Sequence, residues 1–186
     1  MNARYVLIDY ENVQPKDLAL LDGQPVHVIV FLGANQKSVP ADLAMALQAR
    51  GANGQYVQIN ANGRNALDLH IAFHIGELAA KDPSASFHVI SKDGDYDPLL
   101  RHLKSRGIEA QRSATLASLV PVPPDRVERA IAYLQNPSTK RPRTMKSLAN
   151  ALNTHLGGKL ESPEIDVLIA ELERRDIISV ADGKVA

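Results

Sequence analysis

Aspartates follow two apolar segments of the sequence and open a third segment. Asp9 closes the apolar run YVLID, and Asp93 and Asp95 come just after the apolar run FHVIS. Asp68 stands at the start of a segment with helical spacing. Carboxylates that converge on one pocket repel each other and take up protons unless a cation neutralises them. Oxygen ligands of this kind suit Mg²⁺ or Mn²⁺, so the pattern suggests hydrolysis of a phosphodiester by a metal-activated water.

The elements that must position these aspartates alternate between strand and helix patterns over about the first 113 residues. Apolar runs predict strands at residues 5–9, 26–32, 55–59, 87–91 and 108–111, and helical spacing predicts helices at 16–21, 41–50, 66–80 and 98–105. This alternation is typical of a doubly wound, mostly parallel α/β sheet of five strands. In the order 3-2-1-4-5, strand order reverses between the first and fourth strands, where ligands bind at the carboxyl ends. Asp9, Asp93 and Asp95 are therefore predicted to share one crevice.

A second, smaller domain is predicted after the proline-rich segment VPVPP at residues 120–124, which gives domains at residues 1–119 and 120–186. Helices are predicted at 125–135, at 144–156 and from Ser162, where Ser-Pro-Glu is a typical helix start. The tail, residues 177–185, predicts two short strands about an Asp-Gly turn. Three helices and a terminal hairpin are the order of a small winged-helix-like domain.

Three motifs of the first domain resemble the PIN-like nucleases, specifically their NYN branch. They are IDYEN around Asp9, Asn65-x-x-Asp68 and Ser91-x-Asp93-x-Asp95, and they span about residues 4–113 in the order of that family. The resemblance implies a metal-dependent endoribonuclease acting on RNA, with Mg²⁺ or Mn²⁺ held by the catalytic residues Asp9, Asp68, Asp93 and Asp95. It also implies supporting roles for Asn12, Asn65 and Ser91. The second domain is similar to a LOTUS module. Members of the family are often dimers, so a homodimer is an expected partner.

Candidate RNA contacts are cations near the pocket and in the second domain. Lys37 ends the run FLGANQK, which is similar to one subgroup of the family and would border the pocket, and Arg64 precedes Asp68. A basic stretch with no intervening acid contains Lys140, Arg141, Arg143 and Lys146. This stretch could contact phosphates or be a solvated linker. Lys+Arg and Asp+Glu number 21 each, so bulk charge alone predicts no polyanion partner, and the absence of tryptophan disfavours a base-stacking platform.

Composition and motifs also exclude several classes of protein. Cysteine is absent, which excludes disulfides, zinc ribbons and thiol nucleophiles. The glycine patterns of phosphate-binding loops are missing, so no nucleotide cofactor is expected. No apolar run approaches the ~18 to 20 residues that span a bilayer, and the amino terminus lacks a signal-peptide pattern. We expect a soluble, cytoplasmic protein without a membrane partner.

Several residues and rival functions have competing interpretations. Asp97 precedes Pro98 and is interpreted as a helix N-cap, while Glu11 stays open as a site residue. His70 and His74 have a spacing that can bind zinc, but they face away from Asp68 and favour a solvated or interfacial face. A receiver-type phosphoacceptor would need a lysine at the end of the last strand, and a haloacid-dehalogenase-type phosphatase would need Asp-x-Asp after the first strand. This sequence has neither, which disfavours both functions. A PIN-like module that binds RNA or protein with little or no cleavage remains the main alternative.

Overall fold

The computed structural model describes residues 2–15, 17–60, 63, 65–139, 141–158, 160, 162–181 and 183–186. The chain divides into two compact units, Met1–Leu116 and Ala117–Ala186. Among the residues described, no helix is long and apolar enough to cross a membrane. Each unit has its own buried apolar core.

The first unit is built on a five-stranded parallel sheet. Its strands are β1 (Arg4–Asp9), β2 (His27–Leu32), β3 (Gly54–Gln58), β4 (Ser86–Ile90) and β5 (Glu109–Ser113). They lie in the order β3-β2-β1-β4-β5, and every pair is parallel. The predicted fold class and strand order are therefore confirmed. Strands β1, β2 and β4 are buried along most of their length, as their unbroken apolar runs require.

Three α-helices cover the sheet: α1 (Ala41–Gln48), α2 (Ala66–Lys81) and α3 (Asp97–Ser105). In α2 the buried residues recur at intervals of four, and they are Leu67, Ile71, Ile75 and Ala79. This face joins the core residues of β1, β2 and β4. Packing of this face fixes the start of α2, and hence Asp68, relative to the strand ends.

Two predicted elements of the first unit differ from the structure. The segment expected to be a helix at 16–21 contains a single 3-10 turn, Leu18–Leu21, and Lys16 lies outside the described residues. Gly23 follows with a φ of 73°, which ends the turn in a left-handed conformation. The last strand begins later than expected and continues to Ser113, because Ile90 of β4 pairs with Ser113. Arg112 is therefore a strand residue.

The second unit contains α4 (Pro124–Gln135), α5 (Met145–His155), α6 (Ser162–Arg174) and the antiparallel strands β6 (Val180–Ala181) and β7 (Lys184–Val185). A capping box between Thr144 and Ser147 starts α5. Thr144 also forms an antiparallel bridge with Lys184, which adds the segment before α5 to the edge of the hairpin. Gly183 has a φ of 72°, as the predicted turn requires, and Asp182 lies outside the described residues.

Candidate metal site at the strand ends

The register of the sheet places the carboxyl ends of β1 and β4 side by side, because Ile8 pairs with Ile90. The next residues along the two strands are Asp9 and Ser91, and both are buried. The Ser91 hydroxyl donates a hydrogen bond to Oδ2 of Asp9 at 3.0 Å. The backbone N–H of Asn12 donates to Oδ1 of Asp9 at 3.1 Å. Asp9 is thus held by both loops at the point where strand order reverses.

Tyr96 is a site residue that the sequence patterns did not single out. Its side chain is 2% exposed, and its hydroxyl donates to Oδ2 of Asp9 at 3.3 Å. Burial, a hydrogen bond to Asp68 and the charges of both aspartates raise the pKa of Tyr96 well above its usual range. The hydroxyl therefore keeps its proton, and the charges of both Asp9 and Asp68 act on it. Its one sequence signal is an aromatic residue inside the otherwise polar run SKDGDYD.

Opposing effects set the charge of Asp9. Burial is the main influence and raises the pKa of its carboxyl group above the usual range, and the nearby Asp68 carboxylate adds to this. Hydrogen bonds from Ser91, Asn12 and Tyr96 act in the other direction. Since burial prevails, the negative charge at Asp9 is only partly compensated by the protein, and a cation beside it would be stabilising.

Asp93 and Asp95 lie on the turn that follows β4. The backbone N–H of Asp93 donates to the Ser91 hydroxyl at 3.1 Å, so Asp93 is linked to Asp9 through Ser91. Its Oδ1 accepts from the backbone N–H of Asp95 at 2.9 Å and caps the 3-10 turn Gly94–Tyr96. Asp95 itself is exposed. One carboxylate oxygen of Asp93 is therefore used in building the turn.

The donor set fits an open magnesium or manganese site rather than a closed cage. Within the described ranges, no three histidine, cysteine or acidic side chains are grouped so that they hold an ion by themselves. Asp9 and Asp68 are near enough for their charges to interact, and both have contact with the Tyr96 hydroxyl. Mg²⁺ commonly binds through one or two carboxylates and completes its shell with waters and substrate phosphates. A pair of carboxylates at a strand-end crevice meets that requirement.

The two predicted supporting asparagines have different surroundings. Oδ1 of Asn12 accepts from the backbone N–H of Lys92 at 3.0 Å, which ties the loop after β1 to the loop after β4. Asn65 precedes α2 with a φ of 59°, and its side chain makes no capping hydrogen bond to that helix. Asn12 is thus part of the scaffold around Asp9, and Asn65 is exposed at the start of the helix that bears Asp68.

The interpretation of Asp97 as a helix cap is wrong. Tyr96 occupies the N-cap position, and Asp97 is the first residue of α3 without a capping hydrogen bond. Its carboxylate instead accepts from Nε and Nη2 of Arg112 at 2.9 and 3.2 Å, which lowers the pKa of Asp97. Nη1 of Arg112 also donates to the backbone oxygen of Ser91 at 3.0 Å. Arg112 therefore joins β5, α3 and the carboxyl end of β4, because a two-pronged guanidinium bond to a carboxylate outweighs capping here.

The loop after β2 borders a cavity of about 220 Å³ at the same edge of the sheet. The cavity is lined by Glu11, by Gly33, Ala34 and Asn35, and by the first residues of α2. The Glu11 carboxylate packs so closely on Gly33 that a Cβ at this position would collide with it. Lys37 lies further along the loop and is exposed, and Arg64 lies outside the described residues. Glu11 therefore borders this cavity, and no hydrogen bond links it to Asp9 within the described residues.

His70 and His74 are occupied by local contacts. Each Nδ1 is hydrogen-bonded to the carbonyl one turn earlier, at 2.7 Å to Ala66 and at 2.9 Å to His70. The ring of His74 also meets the buried Phe31 ring edge-on at 5.0 Å. These contacts use Nδ1 of each ring and one face of the helix.

A parallel sheet in this order, with carboxylates collected at the ends of its first and fourth strands, defines a nuclease-like α/β domain. Residues 3–113 match the family model described as PIN domain, and the chain belongs to the PIN domain family. Such domains are generally metal-dependent nucleases that act on RNA with Mg²⁺ or Mn²⁺. No curated protein and no solved structure shows a significant match to the chain.

Proposed function

We propose that the protein is an endoribonuclease of the NYN branch that hydrolyses RNA phosphodiester bonds at Asp9, Asp68, Asp93 and Asp95. The observation that carries the proposal is the buried Asp9 carboxylate, whose pKa is raised by burial and by the nearby Asp68 carboxylate. A carboxylate placed in this way is stabilised by a divalent cation, and perturbed carboxylates of this kind cluster at functional sites.

In this proposal Asp9 and Asp68 are the primary ligands of the ion, and Asp93 and Asp95 lie on the turn beside them. A bound Mg²⁺ or Mn²⁺ would hold a phosphate oxygen and lower the pKa of a water that attacks phosphorus. Ser91 and Tyr96 orient Asp9 through Oδ2, and Asn12 does so through Oδ1. These three groups fix the carboxylate before substrate binds.

We further propose that residues 1–119 form the nuclease domain and residues 120–186 a winged-helix, LOTUS-like module. Three helices, a hairpin and the bridge between Thr144 and Lys184 support the second assignment. Exposed cations proposed to contact RNA are Lys37, Arg141, Arg143 and Lys146. Two further proposed contacts, Arg64 and Lys140, lie outside the described residues. Leu69 and Phe73 of α2, 68% and 65% exposed, support a homodimer.

The alternative is a PIN-like module that binds RNA or protein and cleaves weakly or not at all. It is favoured by one observation: no closed group of three acidic side chains occurs in the part of the chain that the structure describes. If the ion is held too weakly, the acids serve only local structure, as the Asp93 cap does.

Cleavage of labelled single-stranded and structured RNA in Mn²⁺ or EDTA separates the two functions. We expect wild type to cleave only with metal, and Asp9→Asn, Asp68→Asn and Asp93→Asn to lose at least about a hundredfold in rate, because each weakens charge stabilisation by the ion. Glu109→Gln is the matched control, since Glu109 is an exposed acid at the amino end of β5. Cleavage by Asp9→Asn at the wild-type rate would refute the nuclease. Failure of wild type to cleave would favour the binding module.

A further inference from the structure

The second unit is nearly neutral, but its charges are segregated along the chain. Residues 129–160 contain no aspartate or glutamate and include six lysines or arginines. All nine acids of residues 117–186 lie outside this stretch. Although the total charge is close to zero, the segment made of the end of α4, the following loop and α5 is therefore cationic.

The cations at the start of α5 form no ion pair with any acid that the structure describes. Arg141, Arg143 and Lys146 are exposed, and within the described residues none of them belongs to an ion pair. Arg174 and Arg175, in contrast, both pair with Glu171. Lys146 lies in the first turn of α5, which contains no acid, although helix dipoles favour acids there. This placement is unfavourable for the helix alone and favourable for an anion bound at its start.

A groove leads from these cations along α5. Its first part is a cavity of about 620 Å³ lined by Arg141, Pro142, Arg143, Ser147 and Ala151. Ala151 also lines a second cavity, of about 460 Å³, whose other walls include Tyr133 and His155. Ser147, Ala151 and His155 recur at intervals of four residues on one face of the helix, and the first two have small side chains. From Ser147 to His155 the helix rises by about 12 Å. We call this surface the α5 groove.

The far end of the α5 groove carries an aromatic pair. The rings of Tyr133 and His155 stack with centroids 4.6 Å apart and planes inclined by 29°. His155 is exposed, and Tyr133 is half-buried against the core of the second unit. An exposed flat ring at the end of a cationic groove is the arrangement on which unpaired bases stack. Composition disfavoured such a platform, yet α4 and α5 assemble one from a tyrosine and a histidine.

We propose that the α5 groove binds single-stranded RNA, with phosphates at Arg141, Arg143 and Lys146 and a base stacked on the Tyr133–His155 pair. A duplex is a poorer ligand because its bases are already stacked on each other. An acidic peptide would meet the cations but would lack the base for the aromatic end. The choice of RNA rests on the proposed function, whereas binding in the groove requires neither metal nor cleavage.

Fluorescence anisotropy with the full chain carrying Asp9→Asn, in EDTA, tests the groove without cleavage. The probes are a short single-stranded RNA and an abasic strand of equal length. Arg141→Ala combined with Arg143→Ala should weaken binding of both probes on the order of tenfold and reduce the slope of log affinity against log salt by about 1.4, because two phosphate contacts are lost. His155→Ala should weaken only the base-containing probe, on the order of tenfold.

Controls separate the groove from general charge and from folding. Arg174→Ala removes an exposed cation of the same unit that lies outside the groove, while Glu171 keeps Arg175; it should leave both affinities unchanged. Circular dichroism checks that each variant is folded, and His155 is exposed, so its removal spares the core. The inference would be overturned if the groove variants bound as tightly as the parent, or if Arg174→Ala weakened binding as much as they do. It would also be overturned if His155→Ala weakened binding of the abasic probe as much as that of the base-containing probe.

The outcome is also distinguishable from that of the proposed function. If wild type binds RNA through the groove but does not cleave it with Mn²⁺, the nuclease proposal fails and the groove stands. If wild type cleaves RNA while the groove variants bind as tightly as the parent, the groove proposal fails alone.

Discussion

Asp9 is a buried carboxylate surrounded by three hydrogen-bond donors, with a second carboxylate nearby. Donors to a carboxylate stabilise its charged form, and burial destabilises it. The net raised pKa shows that the three donors do not fully replace water. Of the three, the Tyr96 hydroxyl is the donor on which the charge of Asp68 also acts. Together with Ser91, it holds Oδ2 of Asp9 in place.

Replacing Tyr96 by phenylalanine tests this role of the hydroxyl. The ring remains, so the core keeps its volume and the protein stays folded. We expect Mn²⁺ affinity to fall on the order of tenfold, because the Asp9 carboxylate loses one of the three donors that hold it in position. Free Mn²⁺ measured by electron paramagnetic resonance during titration gives the affinity directly. RNA cleavage should fall in proportion at limiting metal.

Tyr5→Phe is the matched control for this change. Tyr5 lies on β1, stacks on Phe87 and His27, and has no hydrogen bond to the aspartates within the described residues. Unchanged Mn²⁺ affinity in Tyr96→Phe would show that the hydroxyl fills space only. A loss of folded protein in Tyr96→Phe but not in Tyr5→Phe would contradict the positioning role as well.

At the scale of elements, the site depends on how the turn after β4 is joined to β5 and α3. Asp93 caps the 3-10 turn, and α3 follows without a break. Arg112 reaches from β5 to Asp97 and to the backbone oxygen of Ser91. The guanidinium thus holds both ends of the segment that carries Asp93 and Asp95.

Arg112→Gln should loosen this segment. It removes both bonds to Asp97 and the bond to the Ser91 backbone, and the free energy of unfolding should fall by about 1 to 2 kcal/mol. Arg112→Lys should lie between, because an ammonium keeps the charge but not the two-pronged geometry. Urea denaturation measures the change. Arg106→Gln, at an exposed residue after α3, serves as the control. Equal stability of Arg112→Lys and wild type would show that only the charge matters.

The contrast between β4 and Arg112 shows what the sequence predicts and what it leaves open. Apolar runs predict β1 and β4, and parallel pairing then predicts that Asp9 lies beside Ser91. The bond from Arg112 to Asp97 joins two residues 15 positions apart, and no periodicity in the sequence indicates such a pair. Tyr96 was not predicted for a related reason: its hydroxyl acquires a role only when the fold brings Asp68 of α2 near it.

At the scale of the whole molecule, a fall in pH changes the balance between the folded and unfolded states through two buried groups, a histidine and an aspartate. His88 of β4 is 9% exposed, and its Nε2 is hydrogen-bonded to the Ser113 hydroxyl at 2.7 Å. Burial, followed by the charge of Arg4, lowers the pKa of His88 from 6.5 to about 4. Asp9 has a raised pKa, so its protonation favours the folded state as the pH falls.

The contribution of His88 has the opposite sign. Between about pH 6.5 and pH 4 the unfolded chain binds a proton at His88 that the folded chain does not, so the free energy of unfolding falls as the pH falls. The loss approaches about 3 kcal/mol, since each pKa unit corresponds to roughly 1.4 kcal/mol. In urea denaturation from pH 8 to pH 4, wild type should lose about 3 kcal/mol more of its free energy of unfolding than His88→Gln, because glutamine keeps a polar group beside Ser113 and does not titrate. Parallel curves would mean that His88 has the same pKa in the folded and unfolded states. The raised pKa of Asp9 could not then explain a loss of stability toward acid, because its effect has the opposite sign.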